Sequence, residues 1–205
     1  MERIINIGIG VTTTPNRQAN KDLCLEQLTK YMPDGEGQQI NIILNNDVNY
    51  EGVTKSKNAC LHVLRNSDYI FLFDDDCFPI AEGWADFFIN SGLNHLLYMN
   101  DTYTPIKKAL ELKGYLNCSG CFIFLTKKVL NKVGYFNPEY GLYGFEHASY
   151  STRIYKAGLS PFKYPCLEGT EKYIYSIDHQ GIGDYNIEHK PSLLQEEREK
   201  SKDIN

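Results

Sequence analysis

The chain has 205 residues, 42% hydrophobic and 23% charged, with a formal net charge of −5. That length supports one sizeable core and not two ordinary domains, and the balance excludes a disordered or fibrous polymer. The acidic charge gives no general attraction to nucleic-acid backbones or anionic membranes. The opening "MERIINIGIGVTTTPNR" lacks a basic leader and a cleavage site and is too short to span a bilayer, so a cytoplasmic protein without a membrane span is expected. Six cysteines (Cys24, Cys60, Cys77, Cys118, Cys121, Cys166) read as free thiols in a reducing compartment, and "CSGC" lacks the second pair that zinc needs. Fifteen tyrosines and ten phenylalanines suit sugar or base stacking, although many must fill the core.

In chain order, "RIINIGIGVT" is β-branched and ends as a strand near Thr13. "NRQANKDLCLEQLTKYM" sets Leu23, Leu25, Leu28 and Met32 on roughly one helical face, closed by "PDGEG". "QQINIILNND" is a second strand, "VTKSKNACLHVLRNS" an amphipathic helix carrying Val53, Ala59, Leu61 and Leu64, and "DYIFLF" a third strand. Strand and helix alternating at this pace predict an α/β domain with a mainly parallel sheet flanked by helices. "GWADFFINSGL" predicts a helix and "LLYMN" a short strand. "DTYTPIKKALELKGYLN" shows no clear period. "CFIFLTKKVLNKVGYF" reads as strand into helix, "EHASYSTRIYKAGL" as a helix stopped by Gly158, "YIYSIDH" as a late strand, and the charged tail as helix-prone.

The third strand runs into Asp74, Asp75 and Asp76 and then breaks at Pro79. In an open α/β sheet, ligands bind at the carboxyl ends of strands, which is where these aspartates fall. Adjacent carboxylates repel and raise one another's pKa unless a cation or hydrogen bonds offset the charge. A hard divalent ion is one resolution and a solvated acidic turn the other.

The run "YIFLFDDDCFPIAEGW" resembles the D-x-D region of GT-A fold glycosyltransferases, particularly the family-two type. "GVTTTPNR", "NNDVNYEGVTKSKNACL", "CSGCFIFLTKKVLNKVGYFNPEY" and "YGLYGFEHASYSTRIYKAGL" resemble further segments of that family, in the right order from about Ile4 to His179. The resemblance implies a single Rossmann-like GT-A domain: a nucleotide-sugar half over 1–100, an acceptor and catalytic half over 101–190, and a charged tail over 191–205. It implies a Mn2+ or Mg2+ cofactor and a nucleotide-sugar donor, most simply a UDP-sugar. The acceptor stays open among glycan, protein, metabolite and modified nucleobase, and so does the oligomeric state.

Carried over by residue, the resemblance puts Thr12, Thr13 and Arg17 beside the nucleotide and Asp47 at the base edge. Lys57 and Asn58 stand at the family's "RN" pair, Lys57 as an exposed lysine facing the strand-end crevice. Asp74 and Asp75 lie on the donor side, Asp76 is the direct metal ligand with Asp74 as neighbour, and His179 completes the metal site. His189 is a second choice there, while His62 and His95 show no partner.

Where the family has Glu-Asp near the acceptor, with the aspartate as general base, this chain has Glu146 and His147. Either can serve as base, and the commoner use of carboxylates favours Glu146. Arg153, two helical turns on, is expected to pair with Glu146. Together these imply metal-dependent transfer of a sugar with inversion. The departure at His147 keeps a catalytically silent nucleotide- or glycan-binding module as the alternative.

Overall fold

The computed structural model describes residues 4–99, 103–177, 199–202 and 204. Its elements in chain order are β1 (Ile5–Thr13), α1 (Gln18–Lys30), β2 (Gln38–Asn46), α2 (Val53–Leu64), β3 (Tyr69–Asp74) and β4 (Cys77–Pro79). They continue with α3 (Trp84–Ile89), β5 (His95–Leu97), β6 (Pro105–Ala109), β7 (Leu112–Tyr115) and β8 (Phe122–Thr126). α4 (Lys127–Val133), α5 (Glu146–Lys156), β9 (Pro165–Leu167) and β10 (Ile174–Ser176) complete the set. The strands β2, β1, β3, β8 and β5 form one sheet in that order. β1 pairs parallel with β2 and with β3, while β8 runs antiparallel between β3 and β5. The sheet is therefore mixed, with four of its five strands pointing the same way.

Both faces of the sheet are covered, which is why β3 reads as an unbroken apolar run. Phe71 and Phe73 join Ile7, Ile9, Cys24, Leu28, Trp84, Phe88 and Phe122 in one cluster. Ile70 and Leu72 face the other way, against Cys60, Leu61 and Leu64 of α2 and Tyr150 and Ile154 of α5. This two-residue alternation fixes the register, since a slip of one would exchange the two cores. α2 lies close against β1 because Gly10 has no side chain: a Cβ there would stand 2.9 Å from Cys60 Cβ and 2.7 Å from Leu72 Cδ2.

Several expectations need correction. The buried face of α1 is Asn20, Cys24 and Leu28, and Leu25 is only half buried. The stretch without clear period contains the β6–β7 hairpin, which joins β9 in a three-stranded antiparallel sheet. Every residue of β6 is exposed, so its sequence carries no hydrophobic alternation to read. β2 is an edge strand; Ile42 and Leu44 on it remain exposed, and its outer side has no strand partner among the described residues. No helix among the described residues is long and apolar enough to cross a membrane.

Candidate active site at the carboxyl edge of the sheet

The carboxyl ends of β1, β2, β3 and the approach to β8 are tied together by main-chain bonds. Asp47 N–H donates to Thr13 O at 2.8 Å, Asp75 N–H to Thr12 O at 3.1 Å, and Asp74 N–H to Cys121 O at 2.8 Å. The acidic run is thereby held between the loop after β1 and the Gly120 turn before β8.

Each carboxylate of the run has its own partners. Thr12 Oγ1 donates to Asp74 Oδ1 at 2.8 Å, and the Lys57 ammonium stands 2.7 Å from the same oxygen. Asp75 accepts from the Thr13 hydroxyl on Oδ2 and from Arg17 Nε on Oδ1 at 2.7 Å. Arg17 also reaches Asp76 Oδ2 at 3.0 Å. Three crowded negative charges are thus met by two cations from elsewhere in the chain, in place of a solvated turn. Asp75 is 2% exposed, and burial pushes its carboxyl above the ordinary range, with Arg17 and Thr13 opposing.

Asp74 retains 27% side-chain exposure, and its Oδ2 takes no hydrogen bond from the described residues. Asp74 and Asp76 present the hard oxygen donors that Mg2+ or Mn2+ prefers, whereas both oxygens of Asp75 are committed to Thr13 and Arg17. Among the described residues no group of three or more His, Cys, Asp or Glu converges as a metal cluster. His179 and His189 lie outside the described residues.

Lys57 is fully buried, contrary to the exposed position expected for it. It occupies the apolar stripe of α2, spaced three, four and three residues along Thr54, Lys57, Leu61 and Leu64, all of which are buried. Its ammonium is satisfied by Asp74 Oδ1, by Gly120 O at 2.8 Å and by His147 Nε2 at 2.6 Å.

Glu146 opens α5. Gly144 and Phe145 both have positive φ, 111° and 61°, and this turn lets Gly144 N–H donate to Glu146 Oε2 at 2.8 Å. Only the second of these costs backbone strain, on the order of 1 kcal/mol for a non-glycine residue. Glu146 is buried, and its desolvation raises the carboxyl pKa while Lys57 pulls it back. Its Oε1 lies 3.6 Å from His147 Nε2. Burial first, and then Lys57, holds the His147 imidazole well below its usual pKa, and Nδ1 meets no partner among the described residues.

The other residues named from the sequence have partners of their own. Both oxygens of Asp47 accept main-chain N–H groups, of Glu51 at 2.9 Å and Gly52 at 2.8 Å, so this carboxylate shapes the loop into α2. Asn58 donates to Phe136 O at 3.0 Å and accepts from Phe136 N–H at 2.9 Å, which ties α2 to the loop after α4. Arg153 does not pair with Glu146. Its guanidinium donates to Val133 O at 3.2 Å and Tyr135 O at 2.5 Å, capping the end of α4 instead. His95 has a partner after all, Ser151 Oγ at 3.1 Å from Nε2, and burial lowers its pKa to about 3.

Superposition on solved structures relates the fold to that of sugar transferases. Staphylococcus aureus TarS matches with a TM-score of 0.62 at 16% identity, covering 84% of this chain and 36% of that one. The fold is the GT-A glycosyltransferase fold. A mutant Drosophila β1,4-galactosyltransferase 7, in complex with manganese, UDP-Gal and xylobiose, matches at 0.51 and 16% identity, over 92% of this chain and 79% of that one. A mannosyltransferase of Pyrobaculum calidifontis, in complex with GDP-Man and Mn2+, matches at 0.53 and 9% identity, over 85% of this chain and 58% of that one. In sequence, an uncharacterized glycosyltransferase of Acanthamoeba polyphaga mimivirus is 32% identical over 125 residues. That match covers 54% of this chain and 48% of the relative, so the chain spans about half of the relative's length. No protein-family model matches the sequence.

Proposed function

We propose that the chain is a glycosyltransferase that moves a sugar from a nucleotide-diphosphate sugar, a UDP-sugar foremost, to an acceptor hydroxyl with inversion. The observation that carries this reading is the convergence on one strand edge of a carboxylate and cation cluster with a separate buried carboxylate. Asp74, Asp75, Asp76, Arg17 and Lys57 form the first, and Glu146 is linked to it through His147 Nε2, which stands 2.6 Å from Lys57 Nζ and 3.6 Å from Glu146 Oε1. The mimiviral relative and the fold support it, as do the nucleotide-sugar complexes of two structures that share the fold.

Asp74 and Asp76 would hold a divalent ion, with His179 as a further donor. Bound there, the ion supplies positive charge that stabilises the departing diphosphate. Arg17 and Lys57 hold the carboxylates in place, and Thr12 and Thr13 orient them from β1. Glu146 takes the proton from the acceptor hydroxyl as its oxygen bonds to the sugar's anomeric carbon. The bond from that carbon to the phosphate oxygen breaks, and its electron pair leaves on the nucleoside diphosphate. Burial suits Glu146 to this role, because a raised pKa makes an ionised carboxylate a stronger base.

The test is hydrolysis and transfer assayed over a panel of UDP-sugars with manganese. Turnover should require the metal and should fall sharply in Asp76→Asn. Turnover and metal dependence both unchanged in that variant would sink the mechanism.

A further inference from the structure

We infer that His147 is a positioning residue for Lys57: its Nε2 accepts a hydrogen bond from the buried ammonium and keeps that charge aimed at Asp74. The functional side of this inference rests on the donor-site reading above. An ammonium has three N–H donors and no acceptor. Lys57 meets three groups, Asp74 Oδ1 at 2.7 Å, Gly120 O at 2.8 Å and His147 Nε2 at 2.6 Å. The Asp74 carboxylate and the Gly120 carbonyl can only accept, which takes two of these donors; with the third turned to His147, Nε2 offers a lone pair and the ring proton sits on Nδ1. An imidazolium would set an N–H against the ammonium at 2.6 Å, which the geometry forbids. His147 is therefore neutral, and its one basic nitrogen is occupied, which removes it as the acceptor's base and leaves Glu146.

The choice of imidazole at this position has a physical reason. A carboxylate on 147 would share the ammonium with Asp74 and cancel its charge. A neutral ring accepts the third N–H and leaves the positive charge intact for Asp74 and for a phosphate bound beside it. The ring itself is fixed from three sides. Gly120 lacks the Cβ that would come within 2.7 Å of His147 Cδ2, Phe136 packs edge-on at 5.4 Å between centroids, and Glu146 Oε1 stands 3.6 Å from Nε2. The charged or titratable groups around it are Lys57 from α2, Glu146 from α5, and His95 from β5, with Asp74 of β3 beyond the lysine.

The deciding measurement is the nitrogen signature of the His147 side chain in the wild-type chain, read by long-range proton–nitrogen correlation between pH 5.5 and 8. A ring protonated on Nδ1 throughout supports the pair; an Nε2–H tautomer, or titration near the ordinary value of about 6.5, overturns it. The second measurement is UDP affinity by calorimetry with manganese chloride. His147→Ala should weaken binding about 10-fold, and His147→Gln, whose Oε1 lies as many bonds from Cα as Nε2, should return it to within about 3-fold. A folded His147→Gln as weak as His147→Ala, or a folded His147→Ala that binds as tightly as wild type, overturns the positioning role. A wild-type chain that binds no UDP overturns the donor-site reading instead, and the nitrogen signature then decides the inference alone.

Discussion

Arg17 donates from Nε to Asp75 Oδ1 at 2.7 Å and from a terminal nitrogen to Asp76 Oδ2 at 3.0 Å, so one guanidinium fastens two consecutive carboxylates. Asp75 is buried and has no room to hydrate if that cation is removed. Arg17→Ala should cost about 3–5 kcal/mol, the usual penalty for stranding one member of a buried ion pair, read from urea unfolding midpoints. The sign with pH follows from the raised pKa of Asp75. Its folded state binds the proton more tightly than the unfolded chain, so stability is lost as pH rises through the folded pKa. The penalty in Arg17→Ala should accordingly shrink on acidification. Arg17→Lys should recover only part of it, because a point charge cannot bridge two carboxylates as a fork does.

Glu146→Gln keeps the shape of the side chain and removes its basicity. Transfer should fall about 10²- to 10⁴-fold while UDP affinity stays near wild type. Because burial raises the Glu146 pKa, the acid limb of the wild-type rate profile should lie above the ordinary carboxylate value of about 4.3. Initial rates across pH, with and without the substitution, check both points; an unshifted limb or an active Glu146→Gln would move the base elsewhere.

Gly120→Ala would press a methyl group to within 2.7 Å of His147 Cδ2, and the ring has Phe136 beside it. Overpacking of this kind costs about 1–3 kcal/mol, and a lowered thermal midpoint would register it. The displaced ring should also loosen Lys57, so UDP binding should weaken in the same variant.

Asn58 joins α2 to the loop after α4 through two bonds with Phe136. Asn58→Ala should lose about 2 kcal/mol by leaving both main-chain groups of Phe136 unsatisfied. Asn58→Asp, which keeps the acceptor and loses the donor, should fall between. Denaturation paired with UDP titration separates this from direct donor contact, since weakened binding at unchanged stability would assign Asn58 to the nucleotide.

The fold was legible where hydrophobic period and chain order agree. β3 announces itself as a strand buried on both faces, and its aspartates fall at the carboxyl edge as the topology requires. β8 was legible as a strand but its antiparallel direction was not, because direction depends on the path of residues 103–121 and leaves no mark in the strand itself. The burial of Lys57 runs against expectation because a lysine at a helix start is usually a surface residue. Its real partners lie 63 and 90 residues away in sequence at Gly120 and His147. One signal was nevertheless present: Lys57 interrupts the apolar stripe of its own helix, and a cation there needs a buried anion. The pairing of Arg17 with Asp75 and Asp76 left no such trace, since it follows from tertiary closure alone.

β2 carries a different kind of consequence. Its nine residues, QQINIILNN, contain no charge and no proline, and Ile42 and Leu44 stand exposed on one face. Edge strands of natural proteins commonly carry a lysine, a bulge or a proline that discourages further pairing, and this one carries none of them. Self-association through this edge should therefore rise with protein concentration, and a charge placed on the strand by Asn41→Lys should oppose it, which light scattering over a dilution series would read.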